Sequence, residues 1–368
     1  MIRVLHVLDS MNRGGIETTL MNIFRRIDRN KVVFDFLVTT DKKCDYDDEI
    51  YELGGKIYNI TPRKKNYFQN IKDLNVFFKL HKEYKIIHMH VGSLSYIMPL
   101  KVAKKYKVPV RIIHSRNTQE GGRKIHKYIH SINKLFIKNI ATNYFSCSDL
   151  AGKWLYTKKI LKNENYKMIN NGILTEKFIY SEKKRKEIRN ELNCENKTAL
   201  VNVGRLHPQK NHEFLLEIFK EYNKINKNSV LYLIGEGSLR KNIEEKIKIL
   251  NLEDKVVLLG KRDNIHELLQ GMDIFVMPSL YEGLPGSVVE AQGAGLPCLI
   301  SNTITKDVKI TDLVTFEDIN ISSKEWANQI KNILKNFKRR NTQKELLEAG
   351  FDMGQVAKIL EKFYKESV

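Results

Sequence analysis

Residues 280–297 read LYEGLPGSVVEAQGAGLP and set two carboxylates, Glu282 and Glu290, eight residues apart around two glycines and a proline. The segment from Ser287 onward reads as a helix, with Glu282 in the loop before it. A carboxylate accepts hydrogen bonds from hydroxyls, and the backbone N–H groups of Gly283, Leu284 and Gly286 can donate to an anion. That mixed lining suits a polyol attached to a phosphate, which describes a nucleotide sugar. Glu290 has a second reading: Ser287-x-x-Glu290 is a capping box, in which the carboxylate serves first-turn N–H groups. Both readings stand, and one side chain satisfies both only by giving one oxygen to each.

Two cations stand in VNVGRLHPQKNHEFLLE (201–217). Arg205 follows a strand and Lys210 begins the next helix, so across a proline-containing turn the two can converge on one anion. Fixed positive charge facing a departing diphosphate is what phosphate-ester chemistry needs when no metal supplies it. The plainer alternative is two solvated side chains. Gly14–Gly15 follow a strand and open a helix, where N–H groups and the helix dipole favour an anion; a turn that simply needs glycine reads the same. GEGSLR (235–240) carries Gly235 in a G-x-G pattern but has Arg240 where a dinucleotide fingerprint wants a small residue. It reads as a tight turn beside a nucleotide. GKRDNI (260–265), which includes Arg262 and Ile265, ends the following strand and can offer backbone groups to a base.

These residues sit at the ends of short apolar runs. IRVLHVL (2–8), VVFDFLV, KIIHMH, VRIIHS and NYFSCS in the first half read as strands separated by amphipathic helices. ALVNVG (199–204), VLYLIG (230–235), KVVLLG (255–260), DIFVMPS (273–279) and PCLIS (297–301) repeat the theme in the second half. Near-continuous apolar strands alternating with helices imply parallel sheets covered on both faces. The expected architecture is α/β, with two doubly wound Rossmann-like domains facing each other across a cleft and ligands beyond the carboxyl ends of the strands. The expected domains are 1–172 and 173–350, with a helix in 351–368 packing back towards the first.

Composition narrows the function. A chain of 368 residues with 42% hydrophobic and 29% charged residues is globular and long enough for two cores. Its four cysteines are far apart, without metal-ligand spacing, which suits a reducing cytoplasm. The N-terminus turns polar after eight residues, too early for a signal peptide, and no apolar run approaches a membrane span. The net charge is +20, unevenly spread: Lys and Arg outnumber Asp and Glu 32 to 15 over residues 1–175 and 31 to 28 thereafter. Compositional drift would load both halves alike, so the first half expects an anionic partner.

E-G-L-P-G-S-V-V-E after a strand ending P-S resembles the E-x7-E signature of retaining GT-B glycosyltransferases of family 4. G-R-L-H-P-Q-K-N resembles that family's phosphate-binding stretch, I-G-E-G its third-strand turn and N-N-G-I its interdomain segment. M-N-R-G-G-I-E-T and H-S-R-N (114–117) resemble enzymes of capsular and exopolysaccharide assembly. The resemblance spans almost the whole chain and implies transfer of a sugar from a UDP-sugar, carrying GlcNAc, Gal, GalNAc or Glc, to a lipid-linked saccharide acceptor with retained configuration. It implies a catalytic set of Arg205, Lys210, Glu282 and His114. Arg205 and Lys210 would hold the diphosphate without a metal, Glu282 the donor sugar, and Glu290 the ribose. Gly15, Gly204, Gly235, Arg262, Ile265, Gly283 and Leu284 would complete the nucleotide site. Relatives often carry a second histidine where this chain has Arg116. His114 alone reads equally as a strand-end core histidine.

On the acceptor side, GRKIHKYIHSINKLFIKNI (122–140) places Arg123, Lys127, Lys134 and Lys138 on one side of a helix and Ile125, Ile129, Ile132 and Phe136 on the other. The apolar side is expected on the sheet. The lysines would then face an anionic membrane surface, making the protein peripheral on the inner face of the plasma membrane. Rival readings are a sugar-nucleotide epimerase of the same fold and a glycoside hydrolase, which needs no cation pair. A nucleic-acid-binding protein would explain the charge, but the sequence carries no recognition motif, and no nucleic-acid partner is expected.

Overall fold

The computed structural model describes residues 1–117 and 124–368. Chain contacts divide it into two units: unit 1 comprises Met1–Gly172 and Asp352–Val368, and unit 2 comprises Ile173–Phe351.

Unit 1 is built on seven parallel strands: β1 (Ile2–Leu8), β2 (Val32–Val38), β3 (Ile57–Asn59), β4 (Ile86–Val91), β5 (Val110–Ser115), β6 (Asn143–Ser146) and β7 (Tyr166–Met168). Their order is β3-β2-β1-β4-β5-β6-β7, so the order turns between β1 and β4. β2 and β4 are buried along their whole length, because helices cover both faces. The helices Gly15–Arg26 and Met353–Glu366 pack on each other, and Met353–Glu366 also packs on β1 and β2. Leu360 and Tyr364 of the last helix are buried, so the end of the chain contributes to the core of its first unit.

Unit 2 has six parallel strands: β8 (Thr198–Val203), β9 (Ser229–Ile234), β10 (Val256–Gly260), β11 (Ile274–Met277), β12 (Cys298–Ser301) and β13 (Val314–Glu317). They run in the order β10-β9-β8-β11-β12-β13 and turn between β8 and β11. The core gathers Leu200, Leu216, Phe219, Leu231, Ile274 and Leu299 around the fully buried Trp326. Trp326 also donates its indole N–H to Asp318 O across 2.9 Å.

The helix Lys124–Phe136 corrects one expectation. Its inward side is polar: His130 Nδ1 accepts from Leu94 N at 3.1 Å, and Asn133 Nδ2 donates to Leu94 O at 2.7 Å. His130 stacks on Trp154 at 4.1 Å. Lys134 also turns inward, donating to the carbonyls of Lys153 and Trp154 at 2.7 Å each. These bonds rotate the apolar stripe outward, leaving Tyr128 65%, Leu135 62% and Phe136 55% exposed, beside exposed Ile125 and Ile132. Lys124, Lys127 and Lys138 are exposed with them. Arg123 lies outside the described residues.

Candidate active site

In an open parallel sheet the ligand crevice lies beyond the carboxyl ends of the strands where their order turns. In unit 2 this is the ground between β8 and β11. After β8 the chain makes a single tight turn, Pro208–Lys210, with His207 accepting from Gln209 N at 3.3 Å. Asn211 then takes a left-handed φ of 55°, which separates that turn from the helix His212–Ile225. Lys210 therefore stands before this helix and not in its first turn.

The loop after β8 is stitched to the loop after β11. Gln209 O accepts from Leu280 N at 2.8 Å, and Gln209 Nε2 donates to Tyr281 O at 2.8 Å and to Glu282 Oε2 at 3.2 Å. Lys210 Nζ donates to Glu282 Oε1 at 2.6 Å, with both side chains mostly buried. Glu282 also forms a single parallel bridge with Ile304, beyond β12. Ser301 Oγ and Thr303 Oγ1 donate to Ser279 O at 2.5 and 2.8 Å, so three loops form one floor. Gln209 and Ser279 had no place in the sequence reading, because only the packing of neighbouring loops makes them partners.

Two glycines let these strand ends approach. A Cβ at Gly204 would come within 2.9 Å of Lys210 Cε, so the lysine stem lies across that glycine. At Gly235, with φ +141°, a Cβ would overlap the carbonyl oxygen of Gly204. Arg205 is exposed and forms no hydrogen bond or ion pair among the described residues. His207 is held below its ordinary pKa by burial first, then by Arg205 and Lys210, so both positive charges act on the same spot.

The capping box does not form. The helix is Gly286–Gly293, its cap is Pro285, and no side chain caps it. Ser287 is already inside the first turn, where its hydroxyl cannot serve as the cap. The Glu290 carboxylate is partly buried and makes no hydrogen bond among the described residues, and burial pushes its pKa up to about 7. Gly283 and Leu284 are buried in the preceding loop. Arg262 is exposed after β10, and Ile265 opens the helix Ile265–Gly271.

In unit 1 the parallel register brings four histidines onto one face: His6 pairs with His88, and His90 with His114. All four are buried. His114, expected beside the transferred sugar, has no exposed surface. It takes the core placement, in contact with the rings of His88, His90 and Phe145. One chain runs from Tyr364 Oη to His88 Nδ1 at 2.7 Å and from His88 Nε2 to His114 Nδ1 at 3.1 Å. The other begins at Arg116, whose Nε and Nη2 lie 3.3 and 3.2 Å from His90 Nδ1. Since arginine only donates, His90 Nδ1 accepts and His90 Nε2–H donates to His6 Nδ1, 3.0 Å away. Burial first, then the Arg116 charge, lowers His6 to about 3. Burial also holds His88, His90 and His114 well below their ordinary value. His6, His88 and His90 offer nitrogens within 4.8 Å of one another, but the guanidinium on His90 opposes a cation there.

Gly15 opens the helix after β1 and is exposed, while the Glu17 carboxylate folds against Gly14. A separate polar hollow of about 670 Å³ lies at the amino ends of β8, β9 and β11, away from these residues. Its Arg189 and Arg339 are spent on carbonyls of their own unit.

Residues 183–348 match the model of the family "Glycosyl transferases group 1". Over 365 residues the chain is 34% identical to EpsF of Bacillus subtilis, whose name assigns it to the glycosyltransferases; the match covers 96% of this chain and 94% of EpsF. This chain belongs to the group 1 glycosyltransferases. Two further relatives bear on what such glycosyltransferases do. One is the UDP-Gal:alpha-D-GlcNAc-diphosphoundecaprenol alpha-1,3-galactosyltransferase of Escherichia coli, 29% identical over 77% of this chain and 81% of its own length. The other is the capsular polysaccharide biosynthesis glycosyltransferase CapH of Staphylococcus aureus, 27% identical over 91% of each chain. Among solved structures, Anabaena HepE in complex with UDP and glucose superposes with a TM-score of 0.78 at 17% identity, covering 99% of each chain. The glycosyltransferase thus has the GT-B fold, two doubly wound Rossmann-like units.

Proposed function

We propose that this glycosyltransferase moves a hexose or N-acetylhexosamine from a UDP-sugar to a hydroxyl of a lipid-linked saccharide, with retained anomeric configuration, in capsular or exopolysaccharide assembly. The observation that carries the reading is the floor at the β8/β11 turn, where the loop that holds Arg205, exposed and without an ion pair among the described residues, also holds the Lys210 of the Lys210–Glu282 pair. In the proposal Arg205 and Lys210 hold the diphosphate and stabilise the charge that develops as it leaves, so no metal is required. Glu282, with Gly283 and Leu284, orients the donor sugar. Glu290 accepts from the ribose, and the loops at Gly204, Gly235, Arg262 and Ile265 seat the nucleotide. Gly15, at the start of its helix, offers a backbone N–H to an anion. His114 is left a supporting role through the histidine chain. The Escherichia coli relative, whose name states UDP-Gal and a diphosphoundecaprenol substrate, supports the donor and acceptor classes.

Unit 1 is proposed to receive the acceptor and to rest on an anionic bilayer through the helix Lys124–Phe136. No helix among the described residues is long and apolar enough to cross a membrane. The exposed apolar stripe beside Lys124, Lys127 and Lys138 suits shallow insertion between anionic headgroups. Incubation with a panel of UDP-sugars, scoring UDP release with and without a lipid-linked acceptor, tests the reading. Acceptor-dependent UDP release is expected. An isomerised sugar without transfer would make the protein an epimerase, and silence with every nucleotide sugar would refute the proposal.

A further inference from the structure

Arg116 follows directly on β5 and is 8% exposed, yet none of the described residues offers it a carboxylate within ion-pair distance. Its partners are neutral: His90 Nδ1, and Asn171 Oδ1, which accepts from Nη1 at 2.6 Å. A buried charge is costly unless paired, and the usual solution is a salt bridge or a metal. Here the neighbours are arranged to stay neutral. His90 is fixed as an acceptor, its other nitrogen is committed to His6, and burial keeps both rings uncharged. Three of the five guanidinium N–H groups are used, and two have no partner among the described residues. Arg116 sits beside β4, where the strand order of unit 1 turns and an open sheet offers its crevice.

We propose that Arg116 is the seat of an anionic group, phosphate or carboxylate, carried by one of the two substrates, and that the histidine pair His6–His90 is the neutral pedestal that holds its guanidinium in place. The inference rests on the transferase reading for the identity of the substrates, but not for the anion itself. The Glu17 carboxylate acts on Arg116 without forming an ion pair among the described residues, so a bound anion supplies the direct partner, and the two remaining N–H groups form the fork that arginine offers to such oxyanions. Two sources fit this chemistry: the donor, through its diphosphate or an acidic sugar, and an acceptor joined to its lipid through a diphosphate.

The test has two parts. First, inorganic pyrophosphate is titrated against Arg205→Ala, which removes one of the two cations at the other candidate site. Binding that survives in Arg205→Ala and weakens about ten- to a hundredfold on adding Arg116→Gln is expected. No binding in Arg205→Ala, or undiminished binding in the double variant, overturns the proposal. This part needs no turnover, so it stands even if every UDP-sugar proves inert. Second, in turnover, KM is measured for donor and acceptor separately. Arg116→Gln should raise one of them about ten- to a hundredfold and leave the other within about twofold, and the one that rises names the source. Both unchanged in a folded variant overturns the proposal. If Arg116→Gln does not fold, Arg116→Lys keeps the charge without the fork. It should raise the same KM by a smaller factor, and wild-type values for both substrates would count against the guanidinium.

Discussion

The Lys210 ammonium lies 2.6 Å from Glu282 Oε1, so one member of the proposed diphosphate clamp is already neutralised by the carboxylate proposed to hold the donor sugar. Arg205, the other member, is exposed and has no ion pair among the described residues. The two cations should therefore fail differently. Lys210→Ala removes the ammonium from the mostly buried Glu282 carboxylate and should cost about 2–3 kcal/mol of stability, part of it recovered in Lys210→Ala/Glu282→Gln. Arg205→Ala should change stability by less than about 0.5 kcal/mol. Each should lower kcat at least about a hundredfold. Urea midpoints and turnover check this together, and equal stability losses would contradict the assignment. If the two cations carry the diphosphate charge as proposed, EDTA should leave transfer unchanged.

Glu290 gives a pH signature. Burial raises its folded pKa from 4.5 to about 7, so the folded chain holds a proton that the unfolded chain has lost. Its contribution to stability is full below about pH 4.5 and disappears as the pH rises through about 7. Glu290→Gln should match wild type near pH 4.5 and exceed it near pH 8. If the carboxylate accepts from the ribose, UDP binding should tighten as the pH rises through about 7, and that trend should vanish in Glu290→Gln. Calorimetric titration of UDP at pH 6 and pH 8 checks it; identical affinities in wild type would remove Glu290 from the site.

The histidine row acts in the opposite direction. His6, His88, His90 and His114 are all held below the ordinary value of 6.5. Their contribution is present above about pH 6.5 and is lost as the pH falls, since the unfolded chain takes up the protons. Unit 1 should lose stability steeply between about pH 6.5 and 5, by up to about one proton per histidine. Fluorescence of Trp154 in a Trp326→Phe background reports on this unit. His114→Gln should reduce the slope by about one proton, and an unchanged slope would mean that His114 is not part of the row.

What the sequence revealed follows from what side-chain pattern can encode. β1, β2, β8 and β9 announce themselves because both faces are buried along most of their length and the runs are predominantly apolar. β3, β7 and β13 do not, because they are sheet edges of three or four residues with mostly half-exposed side chains. Arg205, Lys210 and Glu282 could be singled out by their places beside strand ends, but the ion pair between two of them could not, because it depends on how the loops after β8 and β11 pack. The histidines at 6, 88, 90 and 114 are far apart in sequence, and only the register of β1, β4 and β5 aligns them. The apolar stripe of the helix Lys124–Phe136 was visible, but its direction was set by two polar bonds to Leu94.

That direction has a consequence. Tyr128→Ser/Leu135→Ser removes exposed apolar area only, so folding should be unaffected while binding to phosphatidylglycerol-containing vesicles falls about tenfold or more at any salt concentration. Lys124→Gln/Lys127→Gln should weaken binding at low salt only. Sedimentation with anionic and with neutral vesicles distinguishes the two effects. Equal sedimentation with both vesicle types would argue against an anionic surface, and concentration-dependent dimers without vesicle binding would make a second copy the occupant of this face.

The central claim, transfer with retention at a floor made by Arg205, Lys210 and Glu282, is tested most directly by the anomeric configuration of the product. Wild-type protein is given its active α-linked UDP-sugar and acceptor, and the new linkage is read from the anomeric proton coupling by NMR. The account predicts an α-linkage, with no product from Lys210→Ala under the same conditions. A β-linkage, or undiminished α-product from Lys210→Ala, would contradict it.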